Sequence, residues 1–304
     1  MIYKSFDELI AKVQGESKTQ KVVVAAAQDE HTLQAALRAK KDRIVEPILI
    51  GDSVQIEAIL KGLGEHPDQY SIIYTKDDMA SAQKAVELIR DGKADFIMKG
   101  KIQTADLLRA VVNKEKGLRT GCIMSHLTIL ELPGYHKLLA ITDGGMILYP
   151  NLAEKKQILE NAVKTFRDMG YQNPKVAVLT AVETVNPKMP ETVDADALKK
   201  MNESGEISGC IVAGPISYDL TMSKESAAIK GYESPVTEDA DILIVSNIAV
   251  GNILGKALTH SAGAKMAGFI VGAKVPIVVT SRGSTAEEKY LSLVLSAAAI
   301  KHEQ

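Results

Sequence analysis

Short apolar runs alternate with helix-patterned stretches along almost the whole chain, and that alternation limits the fold more than any other feature of the sequence. The run KVVVAAA (21–27) leads to the helical TLQAALRAKK, PILIG (47–51) to SVQIEAIL, YSIIYT (70–75) to DDMASAQKAVELIRDG, and ADFIMKG (94–100) to TADLLRAVVNK. The pattern resumes with KLLAIT (137–142), KVAVLT (175–180), GCIVAG (209–214), ADILIVS (240–246) and VPIVVT (275–280). Apolar strands this short, separated by helices of about a dozen residues, make repeated βα units around mostly parallel strands. The expected class is α/β. In such open sheets ligands bind beyond the carboxyl ends of the strands, so the loops there should carry the chemistry.

A chain of 304 residues has room for two domains. The stretch GLRTGCIMSHLTILELPGYHK (117–137) breaks the βα rhythm and suits a domain crossing or an antiparallel pair. The first boundary is expected near residue 120, with the last strand–helix unit returning to the first domain. One α/β domain then comprises 1–120 plus 279–304, and the other 121–278. Aromatic residues are only 4% and tryptophan is absent, which favours helices packed on parallel strands over a β-sandwich. At the N-terminus, Phe6, Leu9, Ile10 and Val13 fall on one side of a short amphipathic helix. That segment lacks the apolar core of a signal peptide and no window approaches a membrane span, so a cytoplasmic protein is expected.

Several function classes are disfavoured. A net charge of −2 argues against broad nucleic-acid binding. The two cysteines, Cys122 and Cys210, sit in apolar surroundings and read as free buried thiols, with no CxxC pattern. The loop AAAQDEHTL after the first strand contains no GxGxxG, and Gly251 to Lys256 is one residue short of a P-loop and lacks its Ser/Thr. No HExxH or clustered His/Asp pattern occurs, so neither a metal nor a bound cofactor is expected.

What remains is a set of strand-end loops with cationic or small polar residues. In VVTSRGSTAEEKYLSLVLSAAAI (278–300), Arg282 stands between a strand and a helix. Ser284 and Glu287 have capping-box spacing, and Ala286, Tyr290, Leu291, Val294, Leu295 and Ala298 recur at helical intervals. The helix start favours an anion, Arg282 adds a fork of donors, and Gly283 lets a ligand approach the backbone. Lys99 and Lys101 flank Gly100 after another strand, Thr104 is placed to cap the next helix, and Arg109 projects from it. Asn247 ends a third strand with Gly251 early in the following helix, and Asp143 precedes Gly144 and Gly145 at a fourth. Each has a plainer explanation as a solvated lysine, a cap or a turn. Together they describe a phosphate-seeking site for a phosphorylated or CoA-type substrate.

The segments MKGKIQTADLLRAVVNKEKGLRTG (98–121), GPISYDLTMSKESAAIKGYESPVTEDADILIVSNIAVGNILGKAL (214–258) and KVPIVVTSRGSTAEE (274–288) make the chain resemble the phosphate acetyl/butyryltransferase family along its whole length. Chain length, MKGK and GLRTG are more similar to the butyryl branch. The resemblance implies two α/β/α domains of the isocitrate/isopropylmalate dehydrogenase type, a cleft between them, and a homodimer. It implies reversible exchange of an acyl group between CoA and orthophosphate, giving acyl phosphate and CoA. Ser281 and Arg282 match the family's Ser-Arg. The aspartate that serves as thiol base in the acetyltransferase pattern is replaced by Glu288, and the family's cysteine after Ser-Arg-Gly is Ser284. Arg109 matches an arginine attributed to substrate binding. The catalytic set expected from the resemblance is Ser281, Arg282 and Glu288. Lys99, Lys101, Arg109, Asn247, Gly251, Gly283 and Ser284 are the expected substrate-binding set, for acyl-CoA, phosphate and acyl phosphate. Two alternatives stay open: an NAD-dependent dehydrogenase of the same fold, disfavoured by the missing metal–carboxylate cluster, and a non-catalytic CoA or acyl-phosphate-binding protein.

Overall fold

The computed structural model describes residues 2–281 and 283–300. The chain forms two compact units, one of residues 6–122 with 267–304 and the other of residues 1–5 with 123–266. The first crossing falls at 122/123 and the return at 266/267, against 120/121 and 278/279 as read from the sequence. The return comes earlier because an antiparallel strand without a helix after it precedes the final βα unit.

The first unit opens with α1 (Phe6–Gln14), which buries Phe6, Leu9 and Val13. Then follow β1 (Gln20–Ala25), α2 (Glu30–Lys41), β2 (Val45–Gly51), α3 (Ser53–Gly62), β3 (Ser71–Tyr74), α4 (Asp78–Arg90), β4 (Phe96–Lys99) and α5 (Thr104–Val111). Asp29, Asp52 and Asp77 cap α2, α3 and α4, each accepting a backbone N–H of the first turn. Helix α5 differs from expectation: Gln103, not Thr104, holds its cap position, and no side chain caps it. Val22, Val23 and Val24 are wholly buried although successive side chains point to opposite faces. The sheet is therefore covered on both sides, as parallel sheets are.

The second unit contains β5 (Ser125–Glu131), β6 (Leu139–Thr142), α6 (Leu152–Asp168), β7 (Lys175–Leu179), α7 (Pro190–Glu203), β8 (Ile211–Ile216), α8 (Tyr218–Met222), α9 (Lys224–Ile229), β9 (Ile242–Ile244) and α10 (Ile248–Ala262). Its strands run in the order β5-β6-β9-β7-β8, with β5 antiparallel to β6 and the others parallel. The segment that breaks the βα rhythm thus holds both the crossing and an antiparallel pair. The chain then supplies β10 (Lys265–Val271), β11 (Ile277–Val278) and α11 (Ala286–Ala298). In the first unit the order is β3-β2-β1-β4-β11-β10, parallel except for β10 against β11.

Of the two thiols, only Cys210 is buried. Cys122 is exposed, because it lies in the crossing segment, where Thr120 Oγ1 accepts its N–H. Burial pushes the Cys210 thiol up to about 11.

The second unit carries a buried ionic knot at the start of its strands. Lys137, 1% exposed, forms ion pairs with Asp239 Oδ1 at 2.8 Å and Asp241 Oδ1 at 2.7 Å and donates to the Asp239 carbonyl at 2.9 Å. Lys175 also pairs with Asp239. Burial alone would raise the Asp239 carboxyl, but hydrogen bonds and charge from Lys137 and Lys175 hold it at about 2, below the ordinary 3.8. A carboxyl depressed in the folded state gives stability that is complete above its unfolded value and lost as pH falls through the folded one. Urea stability is therefore expected to drop between about pH 4 and about pH 2, and Asp239→Asn should remove part of the drop. An equal slope in variant and wild type would contradict this assignment.

Candidate functional site

In the first unit β1, β4 and β11 lie side by side and end at the same edge, with Val24 beside Met98 and Met98 beside Val278. The loop after β4 hangs on the end of β1: the Gly100 N–H donates to Ala25 O at 2.9 Å and the Lys101 N–H to Ala26 O at 2.7 Å. Ala26 is left-handed at φ 56, which turns its carbonyl to receive that loop. Lys99 is buried and donates from Nζ to Gly100 O at 3.2 Å, whereas Lys101 is exposed. Arg109 is exposed on α5 and paired to Asp106 at 2.8 Å on its own helix.

The passage from β11 to α11 is a tight turn, closed by the Ser284 N–H on Ser281 O at 3.1 Å. Ser281 Oγ accepts the Gly283 N–H at 3.4 Å, which leaves the hydroxyl proton to donate elsewhere. Arg282 lies outside the described residues. A side-chain carbon added at Gly283 would meet nothing within 4 Å, so the turn is open where a ligand would approach. The cap is one residue later than its spacing suggests. Thr285, not Ser284, is the N-cap, and its partner is Glu288, not Glu287. Ser284 is buried and its N–H closes the turn, so the extended cap conformation falls on Thr285. Glu288 Oε2 accepts the Thr285 N–H at 3.0 Å and Thr285 Oγ1 accepts the Glu288 N–H at 3.1 Å. Glu287 pairs with Arg38 instead. The N–H groups of Gly283, Ser284, Thr285 and Glu288 thus have internal acceptors, so an anion at this turn would have to be met by side chains and the helix dipole.

Asn247 and Gly251 belong to the second unit. Asn247 caps α10, with Oδ1 accepting from Ala249 and Val250. Space beside Gly251 is taken by the chain itself, since an added carbon would lie 2.8 Å from the Gly144 Cα and 2.9 Å from Asp143 O. This glycine lets α10 approach the loop after β6. Asp143, 2% exposed, organises that loop: its carboxylate accepts the backbone N–H groups of His126, Gly145, Met146 and Ile147 at 2.8–3.2 Å. Burial lowers the His126 imidazole, against the opposing pull of Asp143, and favours its neutral form.

One residue that sequence reading passed over also shapes the first unit's loops. Lys289, 7% exposed in the first turns of α11, donates from Nζ to Asp29 Oδ2 and to Thr32 Oγ1, both at 2.8 Å. The available signal was a lysine three residues after Ala286 and four before Leu293, on the apolar stripe of its helix.

The chain matches the family described as phosphate acetyl/butaryl transferase over residues 5–83 and 77–297. It is 44% identical over 294 residues to the phosphate butyryltransferase of Clostridium acetobutylicum, covering 97% of each chain. To the phosphate acetyltransferase of Thermotoga maritima it is 43% identical over 291 residues, covering 96% of this chain and 98% of that one. The crystal structure of a branched-chain phosphotransacylase from Enterococcus faecalis is similar with a TM-score of 0.84 at 35% identity, over 93% of this chain and 100% of that one.

Proposed function

Since the chain belongs to the phosphate acetyl/butyryl transferase family and is a phosphate acyltransferase, we propose that it exchanges a short-chain acyl group between CoA and inorganic phosphate, prefers butyryl to acetyl, and needs no metal. The observation that carries this reading is the open turn at Ser281 to Ser284 ahead of a capped helix, beside the Lys99 to Lys101 loop. Among the described residues no cluster of three or more His, Cys, Asp or Glu side chains is placed to hold a metal ion. The homodimer and the cytoplasmic setting belong to the same proposal, and no helix among the described residues is long and apolar enough to cross a membrane.

The chemistry is simplest from acyl phosphate and CoA. A thiol of pKa about 8.5 is mostly protonated at neutral pH, and only its thiolate attacks. Glu288 has one carboxylate oxygen engaged in the cap and a second with which to take the thiol proton, a general-base contribution of roughly 10²–10⁴-fold. The thiolate sulfur bonds to the acyl carbonyl carbon, and negative charge develops on the carbonyl oxygen. That oxyanion collapses, the carbon–oxygen bond to phosphate breaks, and orthophosphate leaves with the electron pair. Arg282 neutralises the departing phosphate, the Ser281 hydroxyl donates to developing charge, and the lysines at the end of β4 lower the cost of gathering anions there. Arg109 takes a supporting part in holding CoA.

Butyryl preference is read from the MKGK and GLRTG segments, because identity to the butyryl and acetyl relatives is nearly equal. Initial rates with acetyl-, propionyl-, butyryl- and isobutyryl-CoA, with and without EDTA, test both finer claims. The expected result is the highest kcat/KM on butyryl-CoA and rates unchanged by the chelator. A faster acetyl reaction, or loss of rate restored by a divalent ion, would overturn the corresponding claim.

A further inference from the structure

Lys289 is an expensive residue where it stands. An ammonium with 7% exposure has lost most of its hydration, and this one sits near the positive ends of two helices, α11 which carries it and α2 which Asp29 caps. Only the lysine end of this pair is buried, Asp29 being part-exposed, and such pairs add little stability over apolar packing, so stability alone does not account for the lysine. Nor is it the sole tie between these helices. A second clamp joins the same two: the Arg38 guanidinium stacks 3.7 Å from the Tyr290 ring centre, and Tyr290 Oη donates to Asp42 Oδ2 at 2.7 Å.

The distinctive feature of the Lys289 contact is its position. Asp29 ends the loop that begins at Ala26, the residue whose carbonyl holds the Lys101 N–H. Lys289 follows the Thr285–Glu288 cap by one residue, and that cap follows the Ser281–Ser284 turn. Strand β4 lies between β1 and β11, so this ion pair ties the loops on its two sides and brackets the Lys99–Gly100–Lys101 segment. Thr32 completes the tie, its hydroxyl donating to Asp29 Oδ2 and accepting from Lys289.

We propose that Lys289, through Asp29 and Thr32, is a positioning residue that sets the start of α11 and its preceding turn in register with the β4 loop for phosphate binding. This rests on the reading under Proposed function. Displacing a binding loop by about an ångström costs up to about 100-fold in rate, so Lys289→Met is expected to raise KM for phosphate about tenfold or more and to lower kcat. KM for acyl-CoA should change less than about twofold, and Lys289→Arg, which keeps a charged donor, should recover most of the phosphate affinity. Asp42→Asn loosens the other clamp between α2 and α11 and serves as the structural control, lowering Tm with KM for phosphate unchanged. If Lys289→Met does not fold, Asp29→Asn, which retains a capping side chain, is read by the same KM criterion. An unchanged KM for phosphate in these variants, or an equal rise in Asp42→Asn, overturns the inference. Wild-type protein with no phosphate-dependent CoA release would instead overturn the reading beneath it.

Discussion

Replacing Arg282 by alanine is expected to lower kcat by roughly 10²–10³-fold, the usual cost of removing one group aimed at charge that develops in the transition state. The residues on either side, Ser281 and Gly283, form an open turn, and four backbone N–H groups of the turn and cap have acceptors within the chain. Few donors other than side chains remain to meet the phosphate. Its charge grows as the bond to the acyl carbon breaks, so kcat should suffer more than KM for acyl-CoA. Lysine at the same position keeps the charge and loses the bidentate fork, so an intermediate rate is expected. The urea midpoint should stay at its wild-type value. Turnover near wild type in the alanine variant would remove Arg282 from the reaction.

The largest expected loss of stability is in the second unit, from Lys137→Met. Methionine fills similar volume and supplies no charge. Asp241, whose side chain is 3% exposed, would keep only the Lys175 backbone N–H at 2.7 Å on its other oxygen. Removing one partner of a buried ion pair costs about 3–5 kcal/mol, because the survivor is left charged and desolvated. The additional Asp241→Asn change removes that stranded charge and should return a substantial share of the loss. Urea unfolding of the single and double variants measures both quantities. A loss below about 1 kcal/mol for Lys137→Met, as found for exposed pairs, would contradict the buried-knot description.

The parallel strands were legible because each is a compact apolar run followed by a helix. The antiparallel β5 and β10 lack a following helix, so the rhythm that exposed the others passed over β10 and left only an irregular segment around β5. Helices α8 and α9 are short and polar, in YDLTMSKESAAI, and carry too few turns for periodicity to register. The cap of α11 was misplaced by one residue for a specific reason. Ser284 and Thr285 are adjacent hydroxyl residues and Glu287 and Glu288 adjacent acids, so both frames satisfy the same spacing rule. Only burial of Ser284 decides between them. The site residues divide along similar lines. Strand-end position was enough to bring Lys99 and Ser281 into the candidate set, but not to separate a glycine beside open space from one that the fold itself needs. Gly283 faces open space and Gly251 faces Gly144, a difference fixed by residues more than a hundred positions away in the chain. The pairings of Lys289 and Lys137 were illegible for the same reason, since their partners Asp29 and Asp239 are remote in sequence.

The most direct measurement mixes purified protein, butyryl-CoA and orthophosphate and follows free CoA with a thiol reagent, alongside a reaction without phosphate. Thiol release that requires phosphate, saturates with it, and matches the butyryl phosphate formed is the predicted result. Absence of phosphate-dependent release from every acyl-CoA of two to five carbons would contradict the account.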